Sequence, residues 1–193
     1  PWTEKARWAL DWRGVPYAFE QFQPLIDEPW LRFKTRNVSR KATVPVLLEG
    51  REVFGDSFAI ARHAEHVGTG PSLWPAGREA EIHAWNEASE RALRAGRALF
   101  FARLVNDPAA QLDQVPAFVP RALRPALRPL VRSGIPYLRT KHGADEAPTA
   151  VARDALDDVL SRLAKSLAGT RYLLGDFSYA DVAMAVVCQF VRP

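Results

Sequence analysis

The stretch from Thr43 to Ser57 limits what this chain can fold into more than any other. Thr43-Val44-Pro45-Val46-Leu47-Leu48-Glu49 reads as a strand with a proline inside it. Proline lacks the N–H that a ladder needs, so it sits on a sheet edge or where the backbone serves another purpose. Gly50-Arg51 is a two-residue hairpin signal, and Glu52-Val53-Phe54 is the returning strand. A helix follows from Ser57 to Val67, with Phe58, Ile60, Ala61 and Ala64 on its apolar side. Asp56 or Ser57 can cap that helix. A helix start with free N–H groups and oxygen-bearing side chains is also a seat for a carboxylate. An exposed strand beside such a seat suits a small peptide with a free carboxylate.

Upstream, Thr3 to Trp12 carries Ala6, Trp8, Ala9, Leu10 and Trp12 as an apolar side, and Gly14 stops this helix before Val15-Pro16. Thr3 is its expected N-cap. Tyr17 to Gln23 sets Tyr17, Phe19 and Gln21 against Ala18, Glu20 and Phe22, which predicts a strand. Pro29 to Arg36 predicts a short helix. This order gives the first helix nothing to pack on, so a further strand is expected before Pro1. With it, residues 1–68 form a βαβαββα, thioredoxin-like α/β domain.

Residues 69–77 are rich in proline and glycine and read as a linker. Residues 78–193 show no strand signal and read as an all-α domain. Its helices are Arg78 to Asn106, Thr149 to Ala168 and a last one opening at Ser178. Ser178-Tyr179-Ala180-Asp181 has the pattern of a capping box, in which Ser178 and Asp181 hold each other's backbone N–H. That is a folding device. The segment between, 107–147, holds six of the 15 prolines and predicts short, broken helices. It also holds Arg121, Arg124, Arg128, Arg132, Arg139 and Lys141 against Asp107 and Asp113, which accounts for the whole net charge of +4. A basic stripe can attract nucleic acid, anionic lipid or acidic ligands; a solvated helix face is the expectation here. Four prolines between Pro116 and Pro129 argue against one continuous amphipathic helix, and so against a membrane partner.

Other function classes are disfavoured by composition. No apolar run approaches the length of a bilayer span, and no segment reads as a signal peptide. The single cysteine, Cys188, excludes an internal disulfide and fits a reducing cytoplasm. It falls in the apolar run Val186, Val187, Phe190, so a buried, inert thiol is expected. His63, His66, His83 and His142 lack metal-ligand spacing, and His63 and His66 read as a solvated helix edge. No metal is expected.

Four landmarks taken together resemble the soluble glutathione S-transferase family. They are Pro1-Trp2-Thr3-Glu4-Lys5-Ala6-Arg7-Trp8-Ala9-Leu10, Thr43-Val44-Pro45-Val46-Leu47, Asp56-Ser57 and Tyr172–Asp181. The resemblance implies a thioredoxin-like domain followed by an all-α domain, a cytoplasmic homodimer, and glutathione as co-substrate. It implies a cis Val44–Pro45 bond with the Val44 backbone pairing to the cysteinyl unit of glutathione. Ser57 would take the γ-glutamyl carboxylate and Asp56 the amine of the same unit, although many relatives have Glu or Gln at Asp56. A basic residue, Lys41 or Arg40, would take the glycyl carboxylate. The family's catalytic Ser or Cys would stand immediately before Pro1. Trp2 and Thr3 are candidates for a co-substrate pocket that receives an apolar electrophile. Two alternatives stand beside transferase activity: a non-catalytic glutathione-binding or protein-interaction module, and membrane-surface association through 107–147.

Overall fold

Helix α1 (Trp2–Trp12) and helix α3 (Ser57–Val67) form the heart of the N-terminal region. Both bury alanines, Ala6 and Ala9 on one and Ala61 and Ala64 on the other. Small side chains let two helix axes approach closely, and these two pack directly on each other. The computed structural model describes residues 1–23, 27–36, 43–115, 119–141, 143 and 148–190. The chain divides into two compact units, Pro1–Ser89 with Leu163–Pro193, and Glu90–Arg162.

In the first unit, α1 is followed by α2 (Glu28–Lys34), the strands β1 (Leu47–Glu49) and β2 (Glu52–Phe54), and then α3. The strands pair antiparallel, with Leu47 opposite Phe54 and Glu49 opposite Glu52. Gly50 takes φ +58°, the left-handed conformation that the first position of so short a loop favours. Arg13 closes the far end of α3: its Nη2 donates to the carbonyls of Glu65 (3.1 Å) and Gly68 (2.6 Å). Glu65 in turn accepts from the Ser72 hydroxyl at 2.6 Å and the Leu73 N–H at 3.1 Å. The segment after α3 is thereby fastened to both helices. Helix α8 (Tyr179–Ala185) packs on α1, and the Tyr179 N–H donates to the Leu73 carbonyl at 2.9 Å.

The second unit lies within the span of α4 (Glu79–Asn106), α5 (Pro108–Asp113), α6 (Arg124–Lys141) and α7 (Thr149–Ser166). Phe101, Leu104 and Ile135 form a core cluster, with Ala110 and Leu138 against it. Buried Gln111 closes the end of α4, donating from Nε2 to the carbonyls of Leu104 (2.9 Å) and Val105 (3.1 Å) while its Oε1 accepts from Arg128 at 2.9 Å. Those carbonyls belong to the last turn of α4 and have no intrahelical donor. Helix α7 buries Ala152, Leu156 and Val159 and leaves Val151 exposed.

The fold class is a thioredoxin-like α/β N-terminal part and a helical remainder, with several local corrections. Tyr17–Gln23 is not a strand: no described neighbour pairs with it. Alternation selects a face only where a ladder exists, and two of its aromatics are engaged by α1 instead. The Arg7 Nε donates to the Tyr17 hydroxyl at 3.4 Å, and the Arg7 guanidinium lies 5.0 Å from the centre of the Phe19 ring. The first hairpin strand begins at Leu47, not Thr43. Thr3 is not the N-cap of α1: Pro1 holds that position, and Thr3 already lies in the helix. On α1 the buried side is Lys5, Ala6, Ala9 and Leu10, while Trp8 is 50% exposed. Trp8 and Trp12 stand one turn apart on a second stripe, where Trp12 meets Phe177 at 4.5 Å.

The largest correction concerns the proline-rich segment. Helix α6 is continuous over 18 residues despite Pro129 and Pro136 inside it. Pro125 falls in the first turn, where no N–H is needed. The two interior prolines each remove one N–H donor, and the apolar stripe through Ile135 and Leu138 holds the rest of the helix in place. The prolines therefore do not break the helix.

Candidate functional site

The hairpin brings two of the sequence landmarks to one place. Val44-Pro45 lies just before β1 and Asp56-Ser57 just after β2, so both stand at its open end. The register carried outward past Leu47 and Phe54 runs Pro45 toward Asp56 and Val44 toward Ser57. The Val44–Pro45 peptide bond is cis, and Val44 is exposed. The hairpin is held against α3 by His63, whose Nε2 lies 2.9 Å from the Glu49 carboxylate and whose ring stacks on Phe54 at 4.1 Å. His63 is thus not on a solvated edge, as its sequence setting suggested; His66 is.

At the start of α3, Asp56 is the N-cap, and its Oδ1 accepts from the N–H groups of Phe58 and Ala59, each at 2.9 Å. Its Oδ2 makes no bond among the described residues, so one carboxylate can close the helix and still present an oxygen to a cation. Ser57 is 2% exposed. Its carbonyl accepts from the Tyr179 hydroxyl at 3.4 Å. The Tyr179 ring stacks on Trp74 at 5.0 Å and tilts against Phe58 at 5.6 Å. Sequence reading assigned no part to Tyr179; an aromatic with a polar tip inside a capping motif was the available signal.

That motif takes the same tyrosine into α8. Ser178 and Asp181 form a capping box. The Asp181 carboxylate accepts from the Ser178 N–H at 2.9 Å, from its hydroxyl at 2.8 Å, and from the Leu173 N–H at 2.9 Å. These oxygens are committed to structure.

At the other end of the candidate site, Trp2 and Thr3 form the first turn of α1, both half-buried. Lys5, one turn on, is fully buried, and its Nζ donates to Asn86 Oδ1 at 2.8 Å. This tie joins α1 to α4 across 81 residues of sequence, so nothing local to Lys5 announces it. Arg7 is held above its ordinary pKa by its hydrogen bond with the Tyr17 hydroxyl, Glu4 adding to the effect. Lys41, Arg40 and His142 lie outside the described residues. Cys188 is exposed, not buried: α8 ends at Ala185, and a 3-10 turn over Val187–Phe190 sends its side chain outward. Among the described residues no cluster of three His, Cys, Asp or Glu side chains is arranged to hold a metal ion. Nor is any helix among them long and apolar enough to cross a membrane.

Chemically, this end of the first unit offers a backbone edge at Val44, an N-terminal helix turn, and one carboxylate oxygen. A set of groups of this kind has the chemistry to orient a zwitterion. Residues 1–67 match the family model described as "Glutathione S-transferase, N-terminal domain". Comparison with curated proteins and with solved structures gave no match. The matched span covers α1 through α3, including both landmarks at the hairpin's open end. Residues 1–67 are therefore similar to a glutathione S-transferase N-terminal domain.

Proposed function

We propose that the chain binds glutathione at the open end of the hairpin and transfers its thiol to an apolar electrophile. The observation that carries this reading is the coincidence of the matched domain with the Val44–Pro45 and Asp56–Ser57 pairs at one end of β1 and β2. The Val44 N–H and C=O pair with the cysteinyl unit as an added strand. The Ser57 N–H and hydroxyl take the γ-glutamyl carboxylate at the positive end of α3. Asp56 Oδ2 takes the ammonium of the same unit, and Lys41 the glycyl carboxylate. A Ser or Cys immediately before Pro1 lowers the thiol's pKa, and the electrophile meets the sulfur at the Trp2–Thr3 end of α1. The sulfur gives up its proton, forms a bond to the electrophilic carbon, and the leaving group departs with its electron pair.

The division into residues 1–68, a linker at 69–77 and a helical part from 78, the homodimer, and a cytoplasmic location belong to the same proposal. The test is the ultraviolet absorbance of the thiolate on adding glutathione to the protein extended through the residue before Pro1. Thiolate absorbance with saturable conjugation to an aryl halide is the expected result. Saturable binding without thiolate absorbance or conjugation would leave the second reading, a non-catalytic glutathione-binding module.

A further inference from the structure

The exposed face of α6 is the part of the molecule that the proposed function does not use. Helix α6 has already committed one apolar stripe to its own unit, through Ile135 and Leu138. A second stripe remains on the outside. Leu123, in the 3-10 turn that leads into α6, is 58% exposed, Leu130 is 70% exposed and Tyr137 is 47% exposed. They recur every seven residues, which on a helix returns to nearly the same side. Ala126, Pro129 and Ser133 fill the exposed face beside them, none of them charged. Leucines left this open cost hydration free energy in an isolated soluble domain.

Charge points to what covers this face. From Arg121 to Lys141 there are six basic residues and no acidic one. Arg121 and Arg132 are exposed on the opposite edge of this face, across Pro129 and Ser133 from the leucines. An uncharged face with apolar side chains along one edge and arginines along the other, on a helix about 27 Å long by its 18 residues, suits the boundary between headgroups and acyl chains. Lying on that boundary is compatible with Pro129 and Pro136, because the carbonyls left without an N–H partner stay hydrated there. We propose that α6 docks this face on an anionic lipid surface, with Leu123, Leu130 and Tyr137 inserted and Arg121 and Arg132 against the headgroups. A nucleic acid would use the arginines and leave the leucines and tyrosine without a role.

The experiment is co-sedimentation of the full chain with phosphatidylcholine vesicles, with and without phosphatidylserine. The expected result is binding only to the vesicles that contain phosphatidylserine, weakening as salt is raised. Arg121→Gln with Arg132→Gln should reduce partitioning by roughly 30-fold, about fivefold for each arginine at an anionic surface. Leu130→Ser with Tyr137→Ser should reduce it several-fold with unchanged thermal midpoint, since both side chains are on the surface. No binding to either vesicle would overturn the proposal, as would equal binding to both. So would a Leu130→Ser, Tyr137→Ser variant that binds like the parent, because the contact would then be a purely electrostatic one of the kind a nucleic acid makes.

Discussion

Replacing Asp56 by asparagine and by alanine separates the two jobs assigned to its carboxylate. As the N-cap of α3 it accepts two N–H bonds of 2.9 Å through Oδ1. Alanine removes both, and loss of such a cap costs about 1 kcal/mol, with a range of about 0.5–2. For a chain of this length that lowers the thermal midpoint by roughly 2–4 °C. Asparagine keeps an oxygen at the cap and ranks with aspartate there, so Asp56→Asn should melt within about 1 °C of the parent. What asparagine removes is the negative charge that Oδ2 would present to the ammonium of glutathione. A hydrogen bond to a charged group is worth about 1.5 kcal/mol or more, which corresponds to roughly tenfold in Kd. The assay is a paired one, thermal melting and glutathione calorimetry on the same preparations. Asp56→Asn should bind roughly tenfold more weakly with an unchanged midpoint; Asp56→Ala should lose both. Parent-like affinity in Asp56→Asn would refute the ammonium contact, and a midpoint as low as that of Asp56→Ala would refute the capping argument.

Two further outcomes test the frame around the site. The Asp107 carboxyl, N-cap of α5, is held below its ordinary value of 3.8, first by the Ala110 N–H and then by the Arg103 side chain. The folded state thus binds this proton less readily than the unfolded chain. The stability it contributes is full above the ordinary value and is lost as pH falls through the lower folded value. Asp107→Ala should therefore melt below the parent at neutral pH, with the gap closing below about pH 4; a gap constant with pH would contradict this. At Gly70 an added Cβ would run into the Trp12 carbonyl and the Arg13 backbone. Backbone cannot yield as a flexible side chain can, so Gly70→Ala should cost about 1–3 kcal/mol, and a variant as stable as the parent would show that this close approach is not held.

Local signals in the sequence were read well where chain geometry leaves little choice. Gly50-Arg51 fixed the hairpin, Asp56-Ser57 the helix start, and Ser178 with Asp181 the capping box, because each depends on a few neighbouring residues. The misreadings share a cause, which is that partners distant in sequence decide them. Tyr17–Gln23 alternates as a strand would, yet Arg7 engages two of its aromatics. His63 reads as solvated until Glu49 and Phe54 fold over it. Lys5 looks like a surface lysine until Asn86, far along the chain on α4, accepts from its Nζ inside the fold. The prolines of α6 have the local signature of helix breakers, whereas their positions and the stripe through Ile135 decide the outcome. Of the candidate site, the backbone landmarks were legible. The aromatic support from Tyr179 was not, since it depends on a contact across 122 residues.

Calorimetric titration of glutathione into the full-length protein, beside Ser57→Ala, tests the central claim most directly. A carboxylate seated on the Ser57 hydroxyl and N–H predicts saturable binding by the parent. The variant keeps the N–H and loses the hydroxyl, so its Kd should rise by roughly fivefold to tenfold. Heat that does not saturate in the parent, or equal affinities in the two proteins, would contradict the placement of glutathione at the start of α3.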